Sequence, residues 1–335
     1  MADLTFMLGT FARRGEKPFV GLVLQDRIVD LRAVRETFGV APGEGVPPAA
    51  PNSLMDLLDD WERAFPALHE DAERLVREGL ASDRLAGAVW ELAQLDVRPP
   101  IPRPPKILNA AANYSGHLKE MRRYTETGMT SGKEQIFAGE KARARPYLFL
   151  KTSSSLCGAF DEVMLPEGEQ QTDWEAELAL AIGIRGKRIR AERARDHVAG
   201  FMTFNDVSCR STLWREDRPN FRTDWLTSKS HDTFGPLGPY FVPKAFVPDH
   251  AGLRIELKVN GKTMQDGLAG DMIFSPEEQI EYASSFMTLE PGDIFATGTL
   301  AGVGQGTGTF LKAGDIMEAE VHGLGRQRNR VVAAR

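Results

Sequence analysis

The sequence predicts an α+β protein that is mainly β, with a small N-terminal α+β domain in front of a larger β domain. The run 97–105 contains five prolines in nine residues, and proline supports neither helix nor ladder hydrogen bonds. Helical periodicity dominates before this run, whereas short apolar stretches separated by glycines dominate after it. We therefore predict a domain of residues 1–105, ending in an extended connector, and a β domain of residues 106–335.

The N-terminal region begins with alternating apolar stretches that predict strands at 4–8 and 19–24. The polar tripeptide Gln25-Asp26-Arg27 predicts the turn that follows the second strand. A helical pattern extends from Ser53 through Leu68 to Leu92. These elements account for the predicted α+β character of the first domain.

The second region predicts strands at 107–113, 178–182 and 200–204, and a hairpin at Val259-Asn-Gly-Lys262, since Asn-Gly accepts a type I′ turn. Ser275-Pro-Glu-Glu278 is a capping box that opens a helix to about residue 289. The glycine-rich run 302–308 is like a phosphate loop, but no helical pattern follows it. Residues 309–311 and 316–321 instead have the pattern of strands.

Composition argues against several classes of function. The 335 residues carry a net charge of −6, whereas a nucleic-acid-binding protein would present a basic face. The start has neither the basic nor the apolar region of a signal peptide, and no apolar run is long enough to span a membrane. The two cysteines, Cys157 and Cys209, are far apart and lack metal-site spacing. We therefore expect both to be reduced thiols. We expect a cytoplasmic enzyme that binds neither nucleic acid nor membrane.

Two glutamates lie two residues apart in Asp-Trp-Glu175-Ala-Glu177, directly before the apolar stretch 178–182. Side chains at i and i+2 of a strand point to one face, about 6–7 Å apart. Such charges repel unless a cation lies between them, and oxygen ligands suit Mg²⁺, Mn²⁺ or Ca²⁺. A second polar segment, Asn205-Asp206-Val-Ser208-Cys-Arg210, also follows an apolar strand. A solvent-facing Glu-x-Glu strand is a common alternative, so spacing alone leaves both interpretations open.

His117 and Glu120 are three residues apart, and on a helical turn such residues face each other. Glu120 can then accept a proton from one ring nitrogen and leave the other as a base near pH 7. The alternative is a helix salt bridge without catalytic function, and spacing does not exclude it.

Several motifs, in this order, closely resemble those of the fumarylacetoacetate hydrolase family, from about residue 107 to about residue 321. They are Asn113-Tyr-Ser-Gly-His117, Phe149-Leu-Lys151, Trp174-Glu-Ala-Glu177, Asn205-Asp206-Val-Ser208-Cys-Arg210, Lys229-Ser-His-Asp-Thr-Phe-Gly-Pro and Ala296-Thr-Gly-Thr299. The resemblance implies a mixed β-roll or β-sandwich domain and a homodimer.

The resemblance also implies a divalent ion, Mg²⁺ or else Mn²⁺ or Ca²⁺, held by Glu175, Glu177 and Asp206. The animal hydrolase of the family has a fourth carboxylate seven residues before its histidine. This chain has Ala110 there, and we expect a water in that place.

By the same match, His117 and Glu120 activate the attacking water and Lys229 stabilises an enolate. Substrate-binding positions by this match are Lys151, Arg210, Thr299 and Tyr114. Surface charges on loops remain the alternative for the three cationic residues.

Two departures concern the substrate side of the site. Ser211 stands where the family commonly has Asp, and Leu268 and Ala269 replace polar residues of many relatives.

The expected function is metal-dependent hydrolysis of a carbon–carbon bond in a β-diketo acid, acylpyruvate-like or fumarylacetoacetate-like. Without water attack, the same enolate-stabilising site would serve an isomerase, decarboxylase or hydratase-lyase acting on 2-keto or ketoenoic acids. A non-catalytic binding protein is the third alternative, against which the three carboxylates argue. Family membership does not choose among these reactions, because function belongs to the site.

The polar segment at about 119–146 contains three glycines and many charges, and it is longer than in compact family members. We predict a lid that is mobile without ligand and closes over the metal when a keto acid binds. A surface insertion without a functional role is the alternative.

Overall fold

The computed structural model of the protein describes residues 4–38, 51, 53–125, 144–218 and 220–334. The predicted lid lies mostly outside the described residues, so its mobility and closure stay predictions. In the described part of the chain, no helix is long and apolar enough to cross a membrane.

The N-terminal region folds as a sheet in the order β4-β3-β2-β1-β5, with helices packed against it. Its elements are β1 (Met7–Ala12), β2 (Phe19–Leu24), β3 (Arg27–Asp30), α1 (Leu31–Phe38), α2 (Met55–Leu58), α3 (Trp61–Glu78), β4 (Val89–Trp90) and β5 (Asp96–Arg98). The predicted second strand and its turn are confirmed, and Gln25 and Asp26 both adopt positive φ, 50° and 63°. The first strand begins at Met7, later than predicted.

The predicted helix extending to residue 92 is wrong beyond Glu78. Gly79 adopts φ +83°, a conformation that favours glycine, and its N–H bonds back to Leu75 O, which closes the helix. Residues 79–98 instead form short turns and the strands β4 and β5, so the proline-rich run begins inside a strand.

The strands of the remaining chain are short, as predicted. They are β6 (Ile107–Ala111), β7 (Tyr147–Lys151), β8 (Leu156–Gly158), β9 (Val163–Met164), β10 (Thr172–Asp173), β11 (Ala176–Ile182), β12 (Val198–Asn205), β13 (Ser208–Cys209), β14 (Gly235–Leu237), β15 (Val242–Pro243), β16 (Arg254–Val259), β17 (Lys262–Leu268), β18 (Ile294–Thr299), β19 (Ile316–Val321) and β20 (Gly325–Val332). The helices are α4 (Ser115–Thr125), α5 (Ala191–His197), α6 (Trp225–Lys229), α7 (Pro276–Phe286) and α8 (Gly304–Thr307). Short 3-10 turns lie at Asp83–Leu85, Leu92–Gln94, Ser153–Ser155, Ser211–Leu213, Lys244–Phe246 and Ala269–Asp271.

Strand β11 lies at the centre of a mixed sheet whose order is β7-β6-β18-β11-β12-β14-β8. A second sheet, in the order β17-β16-β19-β20-β9, packs against one of its faces. Leu178 and Leu180 belong to the core between these sheets, whereas Ala179 and Ala181 pack in a cluster with the N-terminal region. Both faces of β11 are therefore buried, which explains the unbroken apolar run after Glu177. The mainly β, α+β class is confirmed.

Local predictions in this region have mixed outcomes. The hairpin is confirmed, since Val259 pairs with Lys262 and Asn260 and Gly261 adopt positive φ. The capping box at Ser275 is confirmed, although its helix ends at Phe286. Residues 309–311 are not a strand, and a single helical turn, α8, occupies part of the glycine-rich run.

Candidate metal centre

The three predicted carboxylate ligands meet where β11 begins and β12 ends. The antiparallel register places Ala176 opposite Asn205, so Glu175 and Asp206 flank the pair, and Asp206 N donates to Glu175 O at 2.9 Å. Glu175, Glu177 and Asp206 are 6%, 1% and 1% exposed, and each contributes one oxygen to a group within 4.8 Å of one another. Two neighbouring strand ends thus bring together residues that are 29 to 31 positions apart in sequence.

Two buried amides hold the start of β11 in place. Asn205 Oδ1 accepts a hydrogen bond from Glu175 N at 3.0 Å, and Gln265 Oε1 accepts one from Ala176 N at 2.9 Å. Gln265 also donates to Thr299 Oγ1 at 2.8 Å, and this hydroxyl donates to Ala176 O at 2.9 Å. Thr299, predicted at the substrate, therefore braces the strand that carries both glutamates.

Two buried lysines contact the carboxylates directly. Lys229 Nζ donates to Glu175 Oε2 at 2.8 Å and to Asp206 Oδ2 at 2.7 Å. Lys151 Nζ donates to Asp206 Oδ1 at 2.7 Å and to Val207 O at 3.1 Å. The structure places both lysines beside the candidate metal ligands rather than on surface loops.

Arg210 joins the cluster through a residue that the sequence analysis did not identify. Asp173, fully buried, accepts from Arg210 Nε at 2.8 Å, and Arg210 Nη2 donates to Glu175 Oε1 at 2.5 Å. The sequence signal that could have identified Asp173 is its position two residues before Glu175, as a third acidic residue in the same segment.

The electrostatics of the cluster separate its two glutamates. Burial alone would raise the pKa of Glu175, but the charges of Lys229 and Arg210 outweigh it and lower the pKa to about 2. Burial, followed by the charges of Asp206 and Glu175, raises the pKa of Glu177 well above its ordinary value. Among the described residues, Glu177 receives a hydrogen bond from Gly298 N at 2.7 Å but has no ion pair. The position of Glu177 therefore favours an additional positive charge.

The donor set fits a divalent ion. Four buried carboxylates, the three candidate ligands and Asp173, lie with three buried cations, Lys151, Arg210 and Lys229, so that these groups carry one net negative charge when all of them are ionised. Carboxylate oxygens are the ligands that hard cations such as Mg²⁺ and Mn²⁺ prefer. A divalent cation would be held by Glu175, Glu177 and Asp206.

The His117 and Glu120 pair lies on α4, beside this cluster. Glu120 Oε2 is 3.8 Å from His117 Nδ1, which is longer than a hydrogen bond, and it accepts one from Gly302 N at 2.9 Å. Burial opposes ionisation of Glu120, but the adjacent His117 ring and the Gly302 N–H lower its pKa. After the charges of Lys229 and Arg210, a positive charge on His117 also lowers the pKa of Glu175. The base candidate therefore lies close enough to the carboxylates to affect Glu175 electrostatically.

Tyr114 lies deeper than its predicted role at the substrate suggests. Its side chain is 1% exposed and its hydroxyl donates to Ala269 O at 3.4 Å. Burial, followed by the charge of Glu177, raises the pKa of Tyr114.

Two aromatic residues that the sequence analysis did not identify, Phe149 and Trp225, lie near Lys229. Lys229 Nζ is 5.3 Å from the centre of the Phe149 ring, and the Trp225 ring stacks on Phe149 with 4.7 Å between ring centres.

Comparisons with known proteins identify the family of this chain. The family model for the fumarylacetoacetate (FAA) hydrolase C-terminal domain matches residues 106–332. Oxaloacetate tautomerase FAHD2A, mitochondrial, from Bos taurus is 36% identical over 296 residues, which cover 88% of this chain and 84% of that protein. Its Homo sapiens counterpart is 38% identical over 277 residues, covering 80% of this chain and 81% of that protein.

A solved structure extends the similarity to the whole chain. Maleylpyruvate hydrolase from Sphingobium sp. SYK-6, in complex with manganese (II) ion and pyruvate, superposes with a TM-score of 0.70 at 26% identity. The match covers 98% of this chain and 100% of that one. The chain belongs to the fumarylacetoacetate hydrolase family of enzymes.

Proposed function

We propose that this protein is a divalent-metal-dependent tautomerase that interconverts the enol and keto forms of oxaloacetate or a closely similar 2-keto acid. The observation that carries the proposal is the buried cluster itself, in which three candidate metal ligands lie with two buried lysines, and His117 is close enough to affect the pKa of Glu175. Tautomerisation needs one proton moved between oxygen and carbon and an enolate stabilised meanwhile, and these groups suit that task. The names of the relatives with 36% and 38% identity support this choice of reaction.

The chain's own residues have distinct tasks in this proposal. A divalent cation would supply Lewis-acid polarisation of the keto-acid oxygens. Lys229 and Lys151 offset the negative charge of the dianionic substrate and of the enolate. His117 moves the proton: with Nδ1–H directed at Glu120, Nε2 is left to take the proton from the enol oxygen and then to deliver that same proton to C3. No other atom is gained or lost, so the reaction needs no water as reactant.

Hydrolysis of a β-diketo acid, the reaction expected first from the sequence, remains the second candidate. The observation in its favour is the His117 and Glu120 pair at i and i+3, which would activate water once the 3.8 Å separation closes. The similar maleylpyruvate hydrolase supports it also. Water attack would then place hydroxide on the distal carbonyl and release the enolate of a 2-keto acid. Homodimer formation and the identity of the ion, Mg²⁺ or Mn²⁺, belong to the same proposal.

One assay separates these reactions. Purified protein with Mn²⁺ or Mg²⁺ is mixed with enol oxaloacetate, and decay of enol absorbance is followed beside an acylpyruvate cleavage assay. We expect enol decay at least about 100-fold faster than in buffer, abolished by EDTA, and no acylpyruvate cleavage. Acylpyruvate cleavage without accelerated enol decay would replace the tautomerase proposal with the hydrolase.

A matched pair of lysine variants assigns the activity to the cluster. Lys229→Met removes a cation from the site and should lower kcat strongly. Lys106→Met removes a lysine that pairs with buried Asp293 at 2.7 Å, at the opposite end of the central strands. Equal losses in both variants would mean that damage to the fold, not chemistry at the site, lowers the activity.

A further inference from the structure

A tight turn, Gly302–Gly306, lies between the His117/Glu120 pair and the carboxylate cluster. On one side, Gly302 N donates to Glu120 Oε2 at 2.9 Å. Trp174 Nε1 donates to Gly302 O at 3.0 Å, which ties the same residue to the segment that carries Glu175. Backbone atoms of Gly302 thus contact both halves of the site.

Asp173 holds the other side of the turn. Its Oδ1 accepts from Gly304 N at 2.6 Å and its Oδ2 from Gln305 N at 2.9 Å. The same Oδ2 accepts from Arg210 Nε, and Arg210 continues to Glu175 Oε1. A single buried carboxylate therefore connects the turn to a candidate metal ligand by charge-assisted hydrogen bonds.

Glycine at position 306 is required by space rather than by backbone conformation. A Cβ added there would overlap the carboxyl carbon and Oε1 of Glu120. Gly306 lies in the helical turn α8 and is not among the positive-φ glycines, so its backbone accepts any residue. The missing side chain makes the room in which the Glu120 carboxylate lies.

We propose that the turn Gly302–Gly306 is a positioning element that fixes the His117/Glu120 pair relative to the metal ligands. Gly306 and Asp173 are its positioning residues: Gly306 leaves room for Glu120, and Asp173 anchors the turn to Arg210 and Glu175. Neither residue is assigned contact with substrate. The proposal rests on the proposed function for its kinetic readout, and a structural readout is independent of it.

The central variant is Gly306→Ala. The added methyl displaces the Glu120 carboxylate, and misplacing a catalytic group by about 1 Å can cost about 100-fold in rate. We expect kcat for enol oxaloacetate to fall about 10- to 100-fold, while KM and the Mn²⁺ dissociation constant stay within about twofold. The Gly302 amide should exchange with solvent faster, because it loses its acceptor on Glu120.

Gly308→Ala is the matched control. Gly308, two residues after this turn and at the C-terminal cap of α8, adopts φ +70° and has open space around its Cβ position, so alanine there strains the backbone without touching Glu120. We expect kcat and the exchange rate of the Gly302 amide to remain close to those of the unchanged protein. Equal behaviour of the Gly306 and Gly308 variants in both measurements would overturn the proposal.

A second substitution, at Glu120, distinguishes steric overlap with the Glu120 carboxylate from general damage to the fold. Glu120→Asp withdraws the carboxylate from position 306, so adding it to Gly306→Ala should cost much less than the product of the two single effects. If Gly306→Ala alone does not fold, the double variant should fold, and its failure to do so would contradict the proposal. An inactive unchanged protein would refute the proposed function only, because amide exchange still tests the turn.

Discussion

The N-terminal region and the strand ends around Glu175 bury charge in opposite ways. In the described N-terminal residues, buried Asp71 pairs with buried Arg35 at 3.0 Å and with the partly exposed Arg74 at 3.8 Å. At the start of β11, four buried carboxylates lie with three buried cations, and Glu177 has no ion pair among the described residues. The first arrangement is balanced by the fold, whereas the second, in our proposal, is balanced by a divalent cation from solution. The two regions therefore contrast a structural use of buried charge with a proposed ligand-binding use.

Removing a carboxylate from the unbalanced cluster should have the largest functional effect. We expect Glu177→Gln to weaken Mn²⁺ binding more than about 100-fold, because one of three charged ligands is lost, and to abolish turnover. Without metal, the variant should be no less stable than the unchanged protein, since a buried carboxylate without an ion pair is removed. Calorimetry measures the Mn²⁺ affinity, and thermal unfolding in EDTA measures the stability without metal. Undiminished Mn²⁺ affinity would remove Glu177 from the metal site.

Substitution in the Arg35 and Asp71 pair should lower stability and leave metal binding unchanged. Asp71→Asn removes the buried carboxylate that pairs with both Arg35 and Arg74, and we expect the free energy of unfolding to fall by about 3 kcal/mol. Mn²⁺ affinity should not change. Glu70→Gln on the same helix is the control, since Glu70 is 68% exposed and its substitution should change stability by less than about 0.5 kcal/mol. A loss of Mn²⁺ affinity in Asp71→Asn would show that the two regions are not independent.

The smallest expected effect is the pH dependence of metal binding. Because the pKa of Glu177 is raised, a cation must displace a proton there at low pH. Affinity should therefore rise with pH, by at most about tenfold per unit for one proton, and level off above that pKa. The low pKa of Glu175, about 2, adds no dependence in this range. Glu177→Gln in calorimetry at several pH values should lose the slope, and a slope that persists would assign the proton to another group.

Local patterns predicted much of the fold. The second strand, the Asn260-Gly261 hairpin and the Ser275 capping box depend on residues next to each other, so the sequence predicted them correctly. The helix predicted to residue 92 failed because Gly79 ends it and tertiary pairing of β4 with β3 determines the structure of the following residues. Apolar spacing alone does not report either effect.

In the candidate site, too, residues marked by local patterns were predicted, whereas residues defined by long-range contacts were missed. Glu175 and Glu177 are neighbours on one strand, so spacing indicated them, and the resemblance supplied Asp206, Lys151, Lys229 and Arg210. Asp173 was missed because its partners, Gly304 and Gln305, lie more than 130 residues away. The bracing role of Gln265 also depends on a contact between distant strands, with Thr299. Long-range hydrogen bonds of this kind leave no periodic signal in a single sequence.

The central claim is that the buried carboxylates of β11 and β12 hold a divalent cation. Anomalous diffraction at the manganese edge from crystals soaked in Mn²⁺ tests it most directly. The account predicts one strong peak within coordination distance of oxygens from Glu175, Glu177 and Asp206, and loss of that peak in Glu177→Gln crystals. A peak elsewhere, or none at this position at saturating Mn²⁺, would contradict the account.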